Sequence, residues 1–360
     1  MKKKLRLSFL TCATLLVSSS LSLHAQDVSE LIKSGPEDAT KLAQAYFSPA
    51  FKGFGFGMNS GWYNSAKAKN LGKFDLKIQF SGALVPTKDR SITLSSLGLS
   101  SNVKYDAGAT TPTLFGKDET GALVKLYDDD GNKLSEFNMP NGLGFSVVPS
   151  PQIELTVGLI KNTDVTLRYT PKIKNEDFGS VQVLGFGVKH EITKYLFPGK
   201  TAKIIPFDLA VAFGYNHLKY DYNVKVADQL NDQNPGTDLK QRVAVNLSGY
   251  TFDAIFSKKF AVFTPFISVG YNTAKTELGI LGTYNFKSGY NNVPGTTTPD
   301  LTSPKYENIT DPVKINQKDI DGMRANLGFS LHLAFFRLYG AYSIGEYQAV
   351  TAGIGFGIGK

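Results

Sequence analysis

The stretch that decides the predicted fold is FKGFGFGMNSGWYNSA, residues Phe51–Ala66. Read with a period of two, one side of it is mostly aromatic and carries Phe54, Phe56, Met58, Ser60 and Trp62. The other side is almost bare and carries Gly53, Gly55, Gly57, Asn59, Gly61 and Tyr63. Side chains of a strand alternate between the two faces of a sheet. The pattern therefore predicts a first β-strand with an apolar face and a bare face.

The end of the chain, Ala349–Lys360, has the same design. Its apolar positions are Val350, Ala352, Ile354, Phe356 and Ile358, and they alternate with Thr351, Gly353, Gly355, Gly357 and Gly359. Matching first and last strands indicate a sheet that closes on itself. Apolar residues outside and small or polar residues inside are typical of a barrel surrounded by lipid. We therefore predict an all-β fold, a transmembrane antiparallel β-barrel.

The N-terminus, MKKKLRLSFLTCATLLVSSSLSLHAQ, has a basic start, a short apolar core and a small-residue site that ends at Ala25. This pattern predicts a secretory signal peptide over residues 1–25. A membrane anchor is the alternative, but the apolar core is shorter than the ~20 residues that a spanning helix needs. Cys12 is the chain's one cysteine, so the mature chain would have no disulfide. We expect the protein in the cell outer membrane, with membrane lipid as its surroundings.

The composition favours barrel strands over helices. Of 360 residues, 35 are glycine, 25 phenylalanine and 17 tyrosine, and no long apolar run follows the signal peptide. Aromatic residues at the predicted strand ends, Trp62 and Tyr215 among them, are interpreted as girdles at the two membrane interfaces. Removing the four basic residues of the signal peptide lowers the net charge from +8 to about +4. That mild, unclustered excess predicts no binding to nucleic acid.

One region before the strands has helical periodicity, Asp27–Phe47. Pro36, followed by two acidic residues, is typical of a helix start. Two interpretations of this helical segment stay open: a periplasmic cap over the barrel mouth, or a plug inserted into the lumen beside the bare glycine faces. The predicted organisation is a signal peptide over 1–25, a plug or cap over 26–52, and a barrel over 53–360.

The alternating stretches predict about twelve strands, within a range of 10–14. They cover residues 51–66, 72–85, 91–100, 143–160, 164–172, 181–191, 207–223, 241–256, 260–275, 322–335, 337–345 and 349–360. With both termini in the periplasm, the long polar connections 103–142, 223–240 and 277–320 fall at one mouth and tight turns at the other. Outer-membrane barrels have long outer loops and short periplasmic turns.

Four stretches carry a family resemblance. They are GFGFGMNSGWYNSAKAKNLGKFDL, VPSPQIELTVGLIKNTDVTLRYTPKI, GVKHEITKYLFPGK and IPFDLAVAFGYN. They resemble a DUF6588-type family of uncharacterised outer-membrane barrels from Bacteroidota, which implies the compartment and the fold but no substrate. The helical segment before a first strand is more loosely similar to FadL-type transporters of hydrophobic compounds. Those transporters have fourteen strands and an Asn-Pro-Ala plug signature, to which Ser48-Pro49-Ala50 is the nearest match here.

On the predicted strand phases, polar side chains point into the barrel. These include Glu154, Lys189, Asp208 and Asn326. The candidate lumen and plug-seam residues are Gly53, Gly55, Gly57, Asn59, Tyr63, Asp75, Lys77, Arg168, Arg324, His332, Gly353, Gly355 and Gly357. One interpretation is that ion pairs fill a small wet lumen and hold the plug. The other is a charged constriction that selects solutes.

No motif indicates catalysis. The mature chain has three histidines, and the pair Ser330 and His332 faces inward, away from the lipid surface that a membrane acyl hydrolase would need. The aspartates before Gly131 fit a hairpin turn, and their spacing fails the EF-hand pattern. We predict no enzyme, no metal and no cofactor.

Two functions remain. The first is a passive conduit for small solutes, hydrophobic ones among them, gated by the N-terminal segment. The second is a non-conducting structural or surface-binding protein that uses its long outer loops. The sequence does not specify the oligomeric state.

Overall fold

The computed structural model describes residues 31–175, 179–198, 205–223, 240–333 and 335–358. The predicted signal peptide, residues 1–25, and the start of the predicted plug segment lie outside these ranges. The chain forms a long helix α1, Pro36–Asn59, and a short helix α2, Thr193–Leu196. Among the described residues, no helix is long and apolar enough to cross a membrane.

The strands follow in chain order. They are β1 Phe74–Leu84, β2 Ser91–Thr93, β3 Val103–Lys104, β4 Thr110–Pro112, β5 Leu123–Tyr127, β6 Lys133–Asn138, β7 Val147–Gly158, β8 Thr163–Asn175, β9 Gly179–Glu191, β10 Asp208–Asn223, β11 Arg242–Ser257, β12 Phe263–Leu281, β13 Thr283–Asn292, β14 Pro299–Thr310, β15 Val313–Leu333, β16 Phe336–Ile344 and β17 Gln348–Ile358.

Ten of these strands close into one antiparallel barrel, in the order β1, β7 to β12, β15, β16 and β17, with β17 returning to β1. Along β1, Phe74, Leu76, Ile78 and Phe80 are exposed, and the residues between them are buried. The same alternation continues in β15 and β17. The outside of the barrel therefore carries an apolar belt, and the inside carries the polar side chains that the sequence assigns to it. This is the pattern of an outer-membrane barrel.

The prediction of a first strand over Phe51–Ala66 is wrong, because this stretch forms the last turns of α1 and the segment after it. Glycine is a poor helix former, about 1 kcal/mol worse than alanine per residue. Packing overrides this preference here. A Cβ atom on Gly53 would lie 2.3 Å from a methyl carbon of Val148, and one on Gly55 would lie 2.4 Å from the Cβ of Ala274. The glycines therefore let the helix lie directly against the barrel wall.

The predicted count of twelve strands is corrected to ten. One extra strand is the glycine-rich end of α1. The other, 91–100, contains only the three-residue strand β2 followed by a 3-10 helix, Leu94–Leu97. The remaining ten predicted strands correspond to the ten strands of the barrel. Consequently the barrel begins at Phe74 and not at residue 53.

The connections divide between the two mouths of the barrel. The loop mouth carries the long connection 85–146 and the β13–β14 hairpin, and the turn mouth carries short turns such as 159–162. Leu31 and Ile32, just before α1, pack with Leu94 and Phe286 at the loop mouth. The described chain therefore enters the barrel from the loop mouth, whereas β17 ends at the turn mouth. The expectation that both termini lie on the periplasmic side concerns the N-terminus within residues 1–30, which lies outside the described ranges.

A turn at the turn mouth gives a first stability prediction. Lys161 and Asn162, between β7 and β8, both have φ of 56°. In the left-handed region asparagine and glycine are preferred, and lysine is strained. We expect Lys161→Asn to raise the free energy of unfolding by up to ~1 kcal/mol. Urea titration of the barrel refolded in lipid vesicles would measure this change. A loss of stability would contradict the assigned turn.

Candidate functional site

The lumen is occupied by the chain's own N-terminal part. We call residues 36–73 the plug segment: it consists of α1 and the extended stretch from Ser60 to Lys73. Helix α1 packs mainly against β15, β7, β12, β1 and β11. Gly57 faces Ser150 of the wall, and the buried side chain of Asn59 donates to the carbonyl of Thr273, at 3.0 Å. The helical segment therefore lies inside the barrel and does not only cover its mouth.

The C-terminus of α1 ends against two arginines of the wall. Arg168 of β8 donates to the carbonyls of Met58 and Ser60, the latter at 3.1 Å. Arg324 of β15 donates to the carbonyl of Asn59, at 2.6 Å. The last carbonyls of a helix have no partner within the helix and carry partial negative charge. The two guanidinium groups satisfy these carbonyls and complement the helix dipole.

Each arginine also pairs with a buried carboxylate. Arg168 Nε donates to Glu154 at 2.9 Å, and both side chains are fully buried. Lys77 approaches the same carboxylate at 2.7 Å and donates to the carbonyl of Gly61 at 2.6 Å. Arg324 makes two bonds to Asp253, at 3.1 and 2.7 Å. Buried charges are tolerated only when they are paired and hydrogen-bonded. The wall and the plug segment therefore form one connected polar network.

A layer of glycines on the turn-mouth side of this network holds Trp62. A Cβ atom on Gly187 would lie 2.8 Å from its ring, and one on Gly214 would lie 2.5 Å from it. The indole also stacks on the Arg168 guanidinium, 3.8 Å from the ring centroid. Trp62 is therefore buried inside the lumen, and its interpretation as part of an aromatic girdle is wrong. Its neighbour Tyr63 bonds to Ser268 at 2.8 Å, also inside.

The turn-mouth half of the lumen is a polar chamber of about 50 Å³. Asp75 lies there between Lys69 and Arg337, at 3.6 and 3.2 Å, and accepts a bond from Tyr339. His332 lines the same chamber, and Lys189 pairs with Asp164 at 3.1 Å. Such a space suits a few ordered water molecules bridging polar groups. Asp75 and His332 are thus brought together, whereas Arg168 and Arg324 lie at the helix end.

The last-strand glycines do not form the expected seam with the plug segment. A Cβ atom on Gly353 would meet Gln79, one on Gly355 would meet Tyr339, and one on Gly357 would meet Arg337. All three side chains belong to neighbouring barrel strands. The bare face of β17 therefore makes room for large polar side chains of the wall, and the glycines of α1 contact other strands.

The half of the lumen toward the loop mouth is apolar beside α1. Met58 packs with the inward side chains Val183 and Leu247, and the half-buried Phe54 and Leu218 join this cluster. We call these five residues the apolar layer. The strand registers place Val183, Leu218 and Leu247 side by side on β9, β10 and β11.

Sequence reasoning missed two functional positions. Asp253 lies two residues after Thr251 on β11, and both are buried on the inner face. The alternation of Asp253 with Phe252 and Ala254 was a signal in the sequence that its side chain points inward. Trp62 carried no such signal, because its position depends on the plug segment leaving α1 at Ser60. Among the described residues, no cluster of His, Cys, Asp or Glu could hold a metal ion.

Comparison with known proteins gives a family and a fold. The model of DUF6588, a family of unknown function, matches residues 1–358. No curated protein matches the chain. Among solved structures, the translocator domain of the autotransporter NalP from Neisseria meningitidis is 10% identical, with a TM-score of 0.29, over 91% of this chain and 99% of that chain. The toluene transporter TodX from Pseudomonas putida is 8% identical, with a TM-score of 0.27, over 86% and 97%. These neighbours are outer-membrane β-barrels. Their sequence identity and TM-scores are too low to indicate the function of this chain.

Proposed function

Because the chain belongs to the DUF6588 family, whose function is unknown, we propose a function from its own geometry. The protein is a barrel that is closed along its axis and that acts at the cell surface. The observation that carries this proposal is the pair of buried arginines that join the helix end to the wall. The cell outer membrane, reached through a cleaved signal peptide, is part of the proposal. The proposal includes no catalysis, no cofactor and no binding of nucleic acid.

The closed axis follows from the cost of moving the plug segment. Withdrawing α1 would remove carbonyl partners from Arg168 and Arg324, and would expose the glycine layer that Trp62 covers. A hydrogen bond to a charged group typically contributes about 1.5–3 kcal/mol. Losing the three carbonyl bonds of the two arginines at once would thus cost a substantial share of the roughly 5–15 kcal/mol by which proteins are usually stable. Thermal motion alone would rarely open such a lumen.

The surface role follows from the cap at the loop mouth. Strands β2 to β6 and the β13–β14 hairpin stand above the barrel and pack on one another: Tyr290 donates to the carbonyl of Lys133, and Lys287 to that of Leu134. Between them and the start of α1 lies a cleft of about 220 Å³. Its lining combines aromatic, acidic and basic side chains, including Tyr127, Asp128, Phe286, Lys287 and Glu307. A concave surface with convergent polar groups is suited to binding a small molecule or a peptide.

A gated conduit for small solutes is the second candidate, and one observation favours it. In the turn-mouth half of the lumen, only the extended part of the plug segment fills the barrel, beside the polar chamber. Displacing an extended stretch needs less rearrangement than displacing a helix. A conduit would still require α1 to leave the wall, so the two candidates differ in whether α1 moves.

A disulfide between α1 and β1 separates the two candidates. A Cβ atom on Gly57 would lie 3.9 Å from that of Ala83, which matches the ~3.8 Å of a disulfide. We would combine Gly57→Cys and Ala83→Cys with Ser150→Gly, because Ser150 Oγ lies 2.6 Å from the new Cβ atom. The single cysteine of the sequence is Cys12, inside the predicted signal peptide, so the pair would have no competitor.

Single-channel conductance and liposome swelling would be measured for the native chain and for this variant, oxidised and reduced. The proposal expects no solute flux in any of the three, with a general porin as the positive control and Gly57→Cys alone as the matched variant. Flux that appears in the native and reduced proteins and stops on oxidation would establish the conduit instead. Flux that persists after oxidation would refute the closed axis.

A further inference from the structure

The barrel wall is incomplete between β7 and β8. The two strands pair over five positions only, from Gly158 opposite Asp164 to Glu154 opposite Arg168. Both strands continue toward the loop mouth, β7 to Val147 and β8 to Asn175. Over those residues β7 stays paired with β1, and β8 stays paired with β9 across a bulge. Along the described strands, a gap therefore opens between residues 147–153 and residues 169–175.

Prolines account for where the ladder stops. Bonds from Val85 N to Ser146 O and from Gly158 N to Lys73 O show that the even residues of β7 face β1, so its odd residues face β8. If the observed register continued, Pro151 would stand opposite Pro171. Proline has no N–H, so neither residue could donate at that pair. Pro149 removes the next donor from the same edge of β7. The gap is thus encoded by the sequence.

The gap begins inside the apolar belt. Five pairs at ~3.3 Å per residue extend roughly 13 Å along the strands, less than the ~25 Å height of the belt in such barrels. On both sides of the opening, apolar side chains still point outward and are exposed: Ile78 and Ile153 on one side, and Tyr169 and Leu184 on the other. The gap therefore opens toward the half of the membrane nearest the loop mouth.

The apolar layer lies past β8 from this gap, on the inner faces of β9, β10 and β11. Val183 is paired with Thr170, one residue beyond Tyr169, and Leu218 is paired with Val183. Helix α1 packs mainly toward β15, β7, β12, β1 and β11, and Phe54 and Leu218 nevertheless remain half-buried within the lumen. The polar network of Arg168 does not need this apolar surface, since its partners lie one row nearer the turn mouth.

We propose that the gap between β7 and β8 is a lateral entry that admits an aliphatic chain from the adjoining membrane leaflet onto the apolar layer. The occupant is the acyl chain of a membrane lipid or a free amphiphile with such a chain. A strand from another protein fits poorly, because the prolines remove the donors that an added strand would need from β7. The entry leads sideways from the membrane, so it does not depend on whether the axis conducts.

Photo-crosslinking tests this entry. The full chain would be reconstituted in vesicles of phosphatidylcholine with a diazirine near the end of one acyl chain, illuminated, and mapped by peptide mass spectrometry. We expect adducts on Val183, Leu218 or Phe54 inside the barrel, besides adducts on outward residues such as Leu184. A parallel reaction with the diazirine on a free fatty acid would distinguish the two sources of the chain.

Two variants keep this test decisive. Pro149→Val with Pro151→Val restores two donors, so the ladder should lengthen and the inner adducts should fall. Leu218→Trp fills the apolar layer without touching the gap, and should lower the inner adducts about tenfold, a loss of ~1.4 kcal/mol in binding, while Leu184 adducts stay unchanged. Adducts on outward residues only, inner adducts that Leu218→Trp leaves unchanged, or chain-to-chain crosslinks at β8 in their place would each overturn the proposal.

Discussion

Replacing Arg168 with methionine is expected to lower the free energy of unfolding by about 3–5 kcal/mol, the usual result of breaking a buried pair by removing one partner. Glu154 would stay buried with Lys77 as its remaining cation, at 2.7 Å. The carbonyls of Met58 and Ser60 would lose their donor, and the indole of Trp62 would lose the guanidinium that it stacks on. Urea-dependent unfolding in lipid vesicles, followed by Trp62 fluorescence, would measure the change.

The matched control is Glu154→Gln, alone and combined with Arg168→Met. Because both side chains belong to one buried cluster with Lys77, the double variant should lose less stability than the sum of the two single losses. Arg168→Lys should recover little, because lysine cannot reach Glu154 and two carbonyls with one planar group. If the two single changes simply add, the two side chains are not coupled in the native state. That result would contradict the buried ion pair between β7 and β8.

The barrel was predictable because its strands alternate strictly. Over residues 74–80 of β1 and residues 323–333 of β15, the outward residues are apolar and the inward residues are small or polar. Such alternation fixes both the strand and its phase, and a shift by one residue would turn every side chain to the wrong face. The inward positions of Asp75, Lys77, Arg168 and Arg324 followed from phase alone.

The glycine-rich stretch Phe51–Ala66 was not predictable in the same way. Gly53, Gly55 and Gly57 alternate with larger residues, which fits a strand, but Gly53 and Gly57 are also four residues apart, which fits one face of a helix. Local propensity favours neither state strongly. The helical state is decided by contact with Val148 and Ser150, about one hundred residues further along the chain. A pattern read within a short window contains no information about such partners.

The contacts between side chains within the lumen could not be predicted from the sequence, for a related reason. Glu154 and Arg168 belong to neighbouring strands, so their pairing follows from the β7–β8 turn at Lys161 and Asn162. Arg324 and Asp253 lie on β15 and β11, which β12 separates. The strand registers place both opposite Gly270 of β12, where the absence of a side chain leaves room for their contact. Neither contact can be predicted from the alternation within a single strand.

The fit between Trp62 and the glycine layer gives the second large prediction. Gly214→Val places a side chain where the ring of Trp62 lies, since the new Cβ atom alone would be 2.5 Å from it. Arg168, which lies 3.8 Å from the ring centroid, further confines the ring. Overpacking of this kind typically costs about 1–3 kcal/mol. We expect Gly214→Val to lower the unfolding free energy by that amount, measured by urea titration.

Trp62→Ala converts this clash into a test of where the plug segment lies. Alone, it should cost about 3–5 kcal/mol, as expected for a buried aromatic residue cut back to alanine. In that background Gly214→Val should cost nothing or regain stability, because valine would fill part of the space that the indole leaves. A penalty for Gly214→Val that is the same with and without Trp62 would mean that the indole lies elsewhere in the membrane-embedded protein. Gly249→Val is the matched control, since its Cβ atom would meet Asn59 and not Trp62, and its cost should be unaffected by Trp62→Ala.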